Sequence, residues 1–157
     1  MNLVAEYRAA QSSEELARLR RIPALRAMSA SGMSQRKIAA SIAITQPAVS
    51  QQLKFAPELD SIHPEMVVSA AAPILKALAH DHGYSRLAVF GSVGRGQAQM
   101  DSDIDLIVDS PPETLTFDFI KFRQLIEQVL GREIDLVDYA GLTPNLDEDI
   151  LREAVLL

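Results

Sequence analysis

Hydrophobic positions in the second half of the chain alternate between two spacings, one typical of strands and one typical of helices. Short apolar runs rich in β-branched residues predict strands, and apolar residues three or four apart predict amphipathic helices. The predicted strands are 85–90, 103–109 and 133–139, and the predicted helices are 64–80, 116–130 (or from 114) and 147–156. This order predicts an α+β fold in which helices flank a small mixed sheet.

The pattern before residue 57 predicts only helices. A first helix is expected from Met1, with a break or kink at Pro23 and a continuation to about Ser31. Ser34 and Thr45 are N-cap residues, each followed by a short helical pattern. The expected core of these helices consists of Ile38, Ala39, Ile42, Ile44, Val49 and Leu53. Pro73 similarly marks a kink or a boundary within the predicted helix 64–80.

The two short helices after Ser34 resemble a helix-turn-helix, with Ala43 at the turn where glycine is more usual. That resemblance implies that the second helix enters a major groove while the first helix contacts phosphates. The residues implied to reach bases are Gln46, Pro47, Ser50 and Gln51, and those implied to reach phosphates are Arg36 and Lys37. A helical bundle used only for protein contacts is the alternative.

Charge divides the chain at the same place as the hydrophobic pattern. Residues 1–54 carry eight basic and three acidic residues, a net charge of +5, whereas residues 63–157 carry seven basic and sixteen acidic residues, a net charge of −9. We therefore expect a helical DNA-binding domain at 1–56, a linker at 57–63 and a second domain at 64–157. The basic first part and the acidic second part indicate different partners.

Composition excludes several classes of protein. With 48% hydrophobic and 23% charged residues, the chain is typical of globular proteins rather than disordered ones. It has no cysteine, so disulfides and thiolate metal sites are excluded. No apolar run suits a membrane span and no apolar segment near the start suits a signal peptide, so we expect a cytoplasmic protein with no membrane partner.

The chemistry is concentrated between Gly91 and Asp105. Asp103 and Asp105 lie two residues apart on a predicted strand, so both point to one face, roughly 6–7 Å apart. A shared divalent cation would relieve their mutual repulsion, and Mg²⁺ prefers carboxylate and phosphate oxygens. Asp135, on the next predicted strand, could complete the site. This arrangement suits a two-metal centre for phosphoryl or nucleotidyl transfer.

Gly91 and Ser92 lie where a predicted strand ends, and a short helix could follow over 92–99. Backbone N–H groups exposed at such a turn bind phosphate. The sequence is not a Walker A loop and does not fit the dinucleotide pattern. The alternative for this segment is a glycine-rich hairpin with surface aspartates.

The chain has a Gly-Ser pair, Gly91-Ser92, followed after ten residues by Asp103-x-Asp105. This spacing resembles the signature of the polymerase-β-like nucleotidyltransferase superfamily, in its minimal nucleotidyltransferase (MNT) branch. The resemblance covers roughly residues 64–157. It implies that Asp103 and Asp105 bridge two Mg²⁺ ions, and that Asp135 holds one of them and assists deprotonation of the attacking hydroxyl.

The same resemblance implies that Gly91 lets the backbone approach the triphosphate of ATP and that Ser92 binds it through its hydroxyl and N–H. Arg95 either contacts a phosphate or forms a salt bridge with a nearby aspartate. Asp101, in the loop, is expected to be solvated.

Residue chemistry alone leaves a small alcohol, a nucleic-acid end or a protein hydroxyl open as the acceptor. MNT proteins of this size resemble antitoxins paired with HEPN ribonuclease toxins, which implies AMP transfer from ATP to a toxin tyrosine. The N-terminal module then fits repression through operator DNA, as a homodimer or as a hetero-oligomer with the toxin. The alternatives are a DNA-binding regulator with a degraded or sensing nucleotidyltransferase fold, and an enzyme that modifies a drug or metabolite.

Overall fold

A computed structural model describes residues 2–56 and 59–157 of the chain. The helices are α1 (Leu3–Ala30), α2 (Gln35–Ile42), α3 (Gln46–Phe55), α4 (Pro64–Asp81), α5 (Gly91–Gly94), α6 (Thr116–Leu130) and α7 (Glu148–Glu153). The strands are β1 (Ser85–Phe90), β2 (Ile104–Asp109), β3 (Ile134–Asp138) and β4 (Val155–Leu156). No helix in these two ranges is long and apolar enough to cross a membrane.

The four strands form one mixed sheet in the order β3-β2-β1-β4. β1 is antiparallel to both β2 and β4, whereas β2 and β3 are parallel. The parallel pair follows from the connection through α6, because a crossover helix returns the chain to the same end of the sheet. The α+β fold with a mixed sheet and flanking helices, predicted from the sequence, is confirmed.

The two faces of the sheet have different surroundings because side chains alternate along each strand. On one face, Leu106 and Val108 pack against Leu75 of α4 and Ile126 of α6 in the main hydrophobic core. The opposite face carries Asp105, which pairs in register with Asp135 of β3. The burial of the first face therefore fixes which residues appear on the second.

Helix α1 is continuous from Leu3 to Ala30, with Pro23 buried inside it. The prediction that the helix breaks at Pro23 is therefore wrong, because one helix runs through this residue. Tertiary packing compensates for the missing backbone donor, because Leu19 and Ile22 pack on the main core. Likewise α4 runs as one helix through Pro73, so no helix boundary lies there.

The capping predictions for the two short helices are confirmed. Ser34 Oγ accepts a hydrogen bond from Lys37 N at 3.1 Å, and Thr45 Oγ1 accepts one from Ala48 N at 3.2 Å. Between the helices, Ala43 adopts a left-handed conformation with φ 57°, the conformation for which glycine is favoured. The chain therefore makes the tight turn predicted between α2 and α3.

A small second core joins these helices to the end of α1. Leu25, Ile38, Ala39 and Val49 are buried in it, and Ile44 and Leu53 pack at its edge. Ile42 is 40% exposed, so its predicted place in the core is wrong. It lies in the last turn of α2, immediately before the chain reverses at Ala43.

Helix α1 contacts both parts of the chain. Leu25 belongs to the core of α2 and α3, while Ala27 packs with Leu78 of α4 and Val129 of α6. Within the predicted linker, Pro57 and Glu58 lie outside the described residues, and Leu59 is buried in the main core. The division into residues 1–56 and 64–157 remains a prediction.

The end of the chain differs from the predicted closing helix. Helix α7 stops at Glu153, and Val155 and Leu156 form β4 along the free side of β1. Leu157 N also donates to Leu87 O at 3.1 Å. These bonds satisfy backbone groups that a helix continuing to Leu156 would have left exposed on β1.

We expect Ile126→Ala to lower the free energy of unfolding by about 2–5 kcal/mol, because it leaves a cavity in the main core. Ile126 is fully buried, whereas Leu115 is 67% exposed just before the same helix. Leu115→Ala is the matched control and should change stability by less than about 0.5 kcal/mol. Urea unfolding followed by circular dichroism measures both values, and equal effects would contradict the assigned core.

Candidate active site

The end of β1 brings the backbone of Gly91 against the side chain of Asp105. Phe90 pairs with Asp105 in the antiparallel ladder, so the next residue lies beside that carboxylate. Gly91 has φ 65°, and a Cβ added there would overlap Asp105 Oδ2. Only glycine permits both the backbone conformation and the close approach.

Residues 91–94 form a single helical turn rather than a helix over 92–99. The turn is closed by hydrogen bonds from Arg95 N to Gly91 O at 3.0 Å and from Gln97 N to Ser92 O at 2.9 Å. A Cβ on Gly94 would lie 2.9 Å from Val89 O, so this glycine packs directly on the backbone of β1. The segment that contains Ser92 is thus held tightly between strand and turn.

Asp105 and Asp135 form the centre of the site. They are neighbours across the parallel strands β2 and β3, about 4.8 Å apart at ordinary strand spacing, and their side chains are hydrogen bonded. The pKa of Asp105 is raised to about 6, first by burial and then by the hydrogen bond and charge of Asp135 and the charge of Asp103. Asp103, Asp105 and Asp135 therefore share one electrostatic environment, as the sequence pattern predicts.

The donors suit a hard divalent cation. Asp105 and Asp135 are close enough to share a proton, and a cation between them would replace that proton and offset their repulsion. Among the described residues, no three His, Cys, Asp or Glu side chains are already arranged around one metal position. The exposed Asp103 and Asp135 also line an open cavity of about 360 Å³.

Arg95 is paired with an acid that the sequence did not suggest. Its Nη1 lies 2.9 Å from Glu153 Oε2 at the end of α7, not against an aspartate. Its positive charge nevertheless acts to lower the pKa of Asp105. Arg95 therefore lies close to the acidic centre, and Asp101 is exposed in the preceding loop as expected.

Two residues that support the acids were missed by sequence reasoning. Arg132 Nη2 donates to Ser102 O at 3.0 Å, which fixes the residue directly before Asp103. Glu127 Oε2 accepts from Ile134 N at 3.1 Å, which fixes the start of β3 directly before Asp135. Both contacts join separate elements, so no local pattern in the sequence indicates them.

The residues implied to contact DNA lie on α2 and α3, and most are exposed. Gln46 Nε2 donates to Gln35 Oε1 at 2.8 Å, so this side chain is already held by α2. Ser50 is half-buried, and Gln51 also borders a cleft between α1 and α3. Arg36, Lys37 and Pro47 are exposed. Their contact with DNA stays a prediction.

Known proteins are similar to this chain in sequence and in fold. Residues 72–157 match the nucleotidyltransferase domain family. MJ0435 of Methanocaldococcus jannaschii, named as a candidate protein adenylyltransferase, is 36% identical over 74 residues, which are 47% of this chain and 80% of that protein. The protein adenylyltransferase MntA of Thermococcus cleftensis is 36% identical over 80 residues, which are 51% of this chain and 81% of MntA.

A solved structure described as a candidate minimal nucleotidyltransferase is 37% identical to this chain, with a TM-score of 0.56. The match covers 62% of this chain and 99% of the chain in that structure. The fold and the acidic site together define a nucleotidyltransferase. The chain belongs to the nucleotidyltransferase domain family, in its minimal nucleotidyltransferase branch.

We expect Gly91→Ala to weaken binding of Mg²⁺–ATP at least about tenfold, because the new methyl group displaces Asp105 and strains a left-handed residue. The matched control is Gly141→Ala, since Gly141 has open space around its Cβ position and no left-handed φ. Titration calorimetry measures both affinities. Equal affinities for the two variants would show that the approach of Gly91 to Asp105 does not shape the site.

Proposed function

We propose that this protein is an antitoxin that transfers AMP from ATP to a tyrosine hydroxyl of a partner HEPN ribonuclease toxin. The observation that carries the proposal is the contact of Asp105 with Asp135 directly beside Gly91. In the proposal these carboxylates bind the metal ions, and the segment beside them binds the triphosphate. The relatives named as protein adenylyltransferases support a protein as the acceptor.

The residue roles in this proposal are those that the resemblance to minimal nucleotidyltransferases implies. Asp103 and Asp105 would hold two Mg²⁺ ions and Asp135 one of them; when bound, these ions neutralise charge on the triphosphate. Ser92 and the backbone after Gly91 bind the triphosphate. Asp135 accepts the proton of the tyrosine hydroxyl as its oxygen attacks the α-phosphorus. The bond from that phosphorus to the bridging oxygen breaks, and pyrophosphate leaves.

Arg95 would contact a phosphate oxygen in this reaction. Its partner in the structure is Glu153, which lies on α7 and is half-buried. The guanidinium of Arg95 would either leave Glu153 for a phosphate of the nucleotide or contact that phosphate while Glu153 holds it in position. Either arrangement uses the positive charge of Arg95 beside Asp105, where the substrate brings negative charge. Arg95 is therefore assigned to nucleotide binding in the proposal.

The N-terminal helices support a second role, binding of operator DNA. The left-handed turn at Ala43 connects α2 and α3 closely, which supports the resemblance to a helix-turn-helix, and Gln46 and Pro47 at the start of α3 are exposed. The net charge of +5 over residues 1–54 suits a phosphate backbone, whereas the remaining chain is acidic. We infer that the antitoxin represses its own operon through this module.

We expect the protein, incubated with ATP, Mg²⁺ and a HEPN protein encoded beside it, to add AMP to that protein, a gain of about 329 Da per transfer. Asp135→Ala should abolish transfer and leave nucleotide binding largely intact, because Asp135 acts on the attacking hydroxyl. Asp138→Ala on the same strand is the control and should retain transfer, since Asp138 bonds to Ser110 and Ala140. Intact-protein mass spectrometry measures the reaction.

Three other outcomes would change the assignment. Transfer only to a small alcohol would favour a metabolite-modifying enzyme. Nucleotide binding without transfer to any acceptor would favour a regulator with a sensing fold. An Asp103, Asp105 and Asp135 triple variant that binds the toxin and still neutralises it in cells would show that the antitoxin acts by occlusion.

We expect Lys37→Ala to weaken binding to all DNA sequences alike and to reduce the slope of log affinity against log salt by about 1, because one phosphate contact is lost. Lys76→Ala is the control, since Lys76 is an exposed lysine on α4 in the acidic part of the chain. Fluorescence anisotropy with the upstream promoter at several salt concentrations gives both slopes. Absence of DNA binding at low salt would favour a protein-contact role for α2 and α3.

A further inference from the structure

The first half of helix α1 is an uncovered surface in the described part of the chain. Every residue over 2–15 is exposed. Among them are three large apolar or aromatic side chains, Leu3, Val4 and Tyr7, which are 73%, 60% and 67% exposed. The N-cap Asn2 accepts two backbone N–H groups, so the helix has a defined start. A helical segment of this length without tertiary contacts is only marginally stable in water, so this half of α1 is suited to a partner.

These exposed side chains continue the face of α1 that borders the cleft between α1 and α3. Arg18, Arg21 and Leu25 line this cleft of about 510 Å³, and they recur at alternate spacings of three and four residues. The same spacing, extended toward the start of the helix, gives Glu14, Gln11, Tyr7 and Val4. Residues at these spacings share one face of a helix, as at the contact positions of a coiled coil. The exposed half of α1 and the cleft thus belong to one stripe.

The charges of α1 complement those of the same helix running in the opposite direction. Over residues 3–15 it carries three acidic residues and one basic residue, a net charge of −2. Over residues 16–26 it carries four arginines and no acidic residue, a net charge of +4. An antiparallel pair of α1 helices places the acidic half of each against the basic half of the other, whereas a parallel pair places like charges together. The charges therefore favour a second copy of this helix as the antiparallel partner.

One antiparallel register fits the whole stripe. In it, Tyr7 of one helix lies opposite Arg18 of the other. The other opposed pairs of the stripe are Val4 with Arg21 and Gln11 with Glu14. The aliphatic stems of the arginines cover the apolar and aromatic side chains while their guanidinium groups reach solvent. The amide of Gln11 can donate to the carboxylate of Glu14, so no opposed pair joins like charges.

Arg8 and Glu15 flank this stripe on the same side of the helix. Neither forms an ion pair or a hydrogen bond among the described residues. They are about 10 Å apart along α1, so they do not pair within one helix. In the antiparallel register, Arg8 of each copy lies beside Glu15 of the other, as flanking charges do in coiled coils. One helix sequence thus supplies both partners of two intermolecular ion pairs.

We propose that α1 pairs antiparallel with α1 of a second copy of this chain, about a two-fold axis that passes between Ser12 and Ser13. The overlap of residues 3–22 is about 30 Å long. At each end of the overlap, the start of one helix covers the mouth of the cleft of the other copy, where Phe55 is 72% exposed. Because the axis is two-fold, every contact occurs twice, and one interface covers both the exposed half of α1 and the cleft.

This pairing needs neither the transfer reaction nor DNA. It would present two copies of α3 related by a two-fold axis, the arrangement with which helix-turn-helix dimers bind two-fold operators. That consequence rests on the proposed DNA binding, whereas the pairing itself is measured on the protein alone.

Sedimentation velocity of the full chain, without DNA or toxin, tests the proposal at about 1 to 100 µM protein. We expect a species of about 34 kDa, twice the 17.2 kDa of one chain. Tyr7→Arg places a like charge opposite Arg18 and should raise the dissociation constant of the dimer at least about tenfold. Ala9→Arg is the matched control, because it adds the same charge at an exposed residue on the other side of the helix. It should change the dissociation constant less than about twofold.

Charge exchange tests the register. Arg8→Glu and Glu15→Arg should each weaken the dimer about threefold or more, because two intermolecular ion pairs become pairs of like charge. The variant that carries both changes should return to within about twofold of the unchanged protein. Both residues are exposed, so the fold should survive each change, and circular dichroism checks the helix content.

A mass of one chain at about 100 µM protein would overturn the proposal. So would equal dissociation constants for Tyr7→Arg and Ala9→Arg, or a double exchange that does not restore association. If the chain alone is monomeric but Tyr7→Arg weakens its complex with the HEPN protein, the exposed half of α1 is a toxin-binding surface instead.

Discussion

The contact between Asp105 and Asp135 is the interaction on which the candidate site depends. Two neighbouring carboxylates repel each other, so their own interaction does not hold them together without a proton or a cation. The register of β2 and β3 holds them instead, and that register follows from burial of the other face. A slip of one residue would bury the acids and expose Ile104 and Ile134, which makes the pairing specific.

The rest of the site is built from close backbone approaches around that pair. Gly91 contacts Asp105 from β1, and Gly94 packs on the backbone of the same strand. Arg132 and Glu127 fix the backbone on the remaining side. The positions of the polar groups are thus determined by the sheet and its turns. The pKa of Asp105 is raised first by its burial and then by Asp135 and Asp103, which the fold holds beside it.

Local patterns in the sequence predicted the parts of this arrangement that depend on neighbouring residues. The caps at Ser34 and Thr45 are set within a few residues and are where the sequence predicted. The strands of the acids lie within one residue of their predicted bounds, with Asp103 directly before β2 instead of in it. Strand β4 could not be predicted, because Val155 and Leu156 are extended only through their pairing with the free side of β1. No local pattern in the sequence indicates that pairing. The contacts of Arg132 and Arg95 could not be predicted either, because their partners are about 30 and 58 residues distant.

The continuity of α1 through Pro23 is a tertiary effect with a consequence for the whole molecule. A proline inside a helix loses a hydrogen bond, and burial of its neighbours on two separate cores compensates for that loss. Because Leu25 and Ala27 lie on the same rigid element but in different cores, a displacement of α2 and α3 relative to α1 must change the packing at one of them. Helix α1 is therefore the physical connection between the acidic sheet and the basic helices.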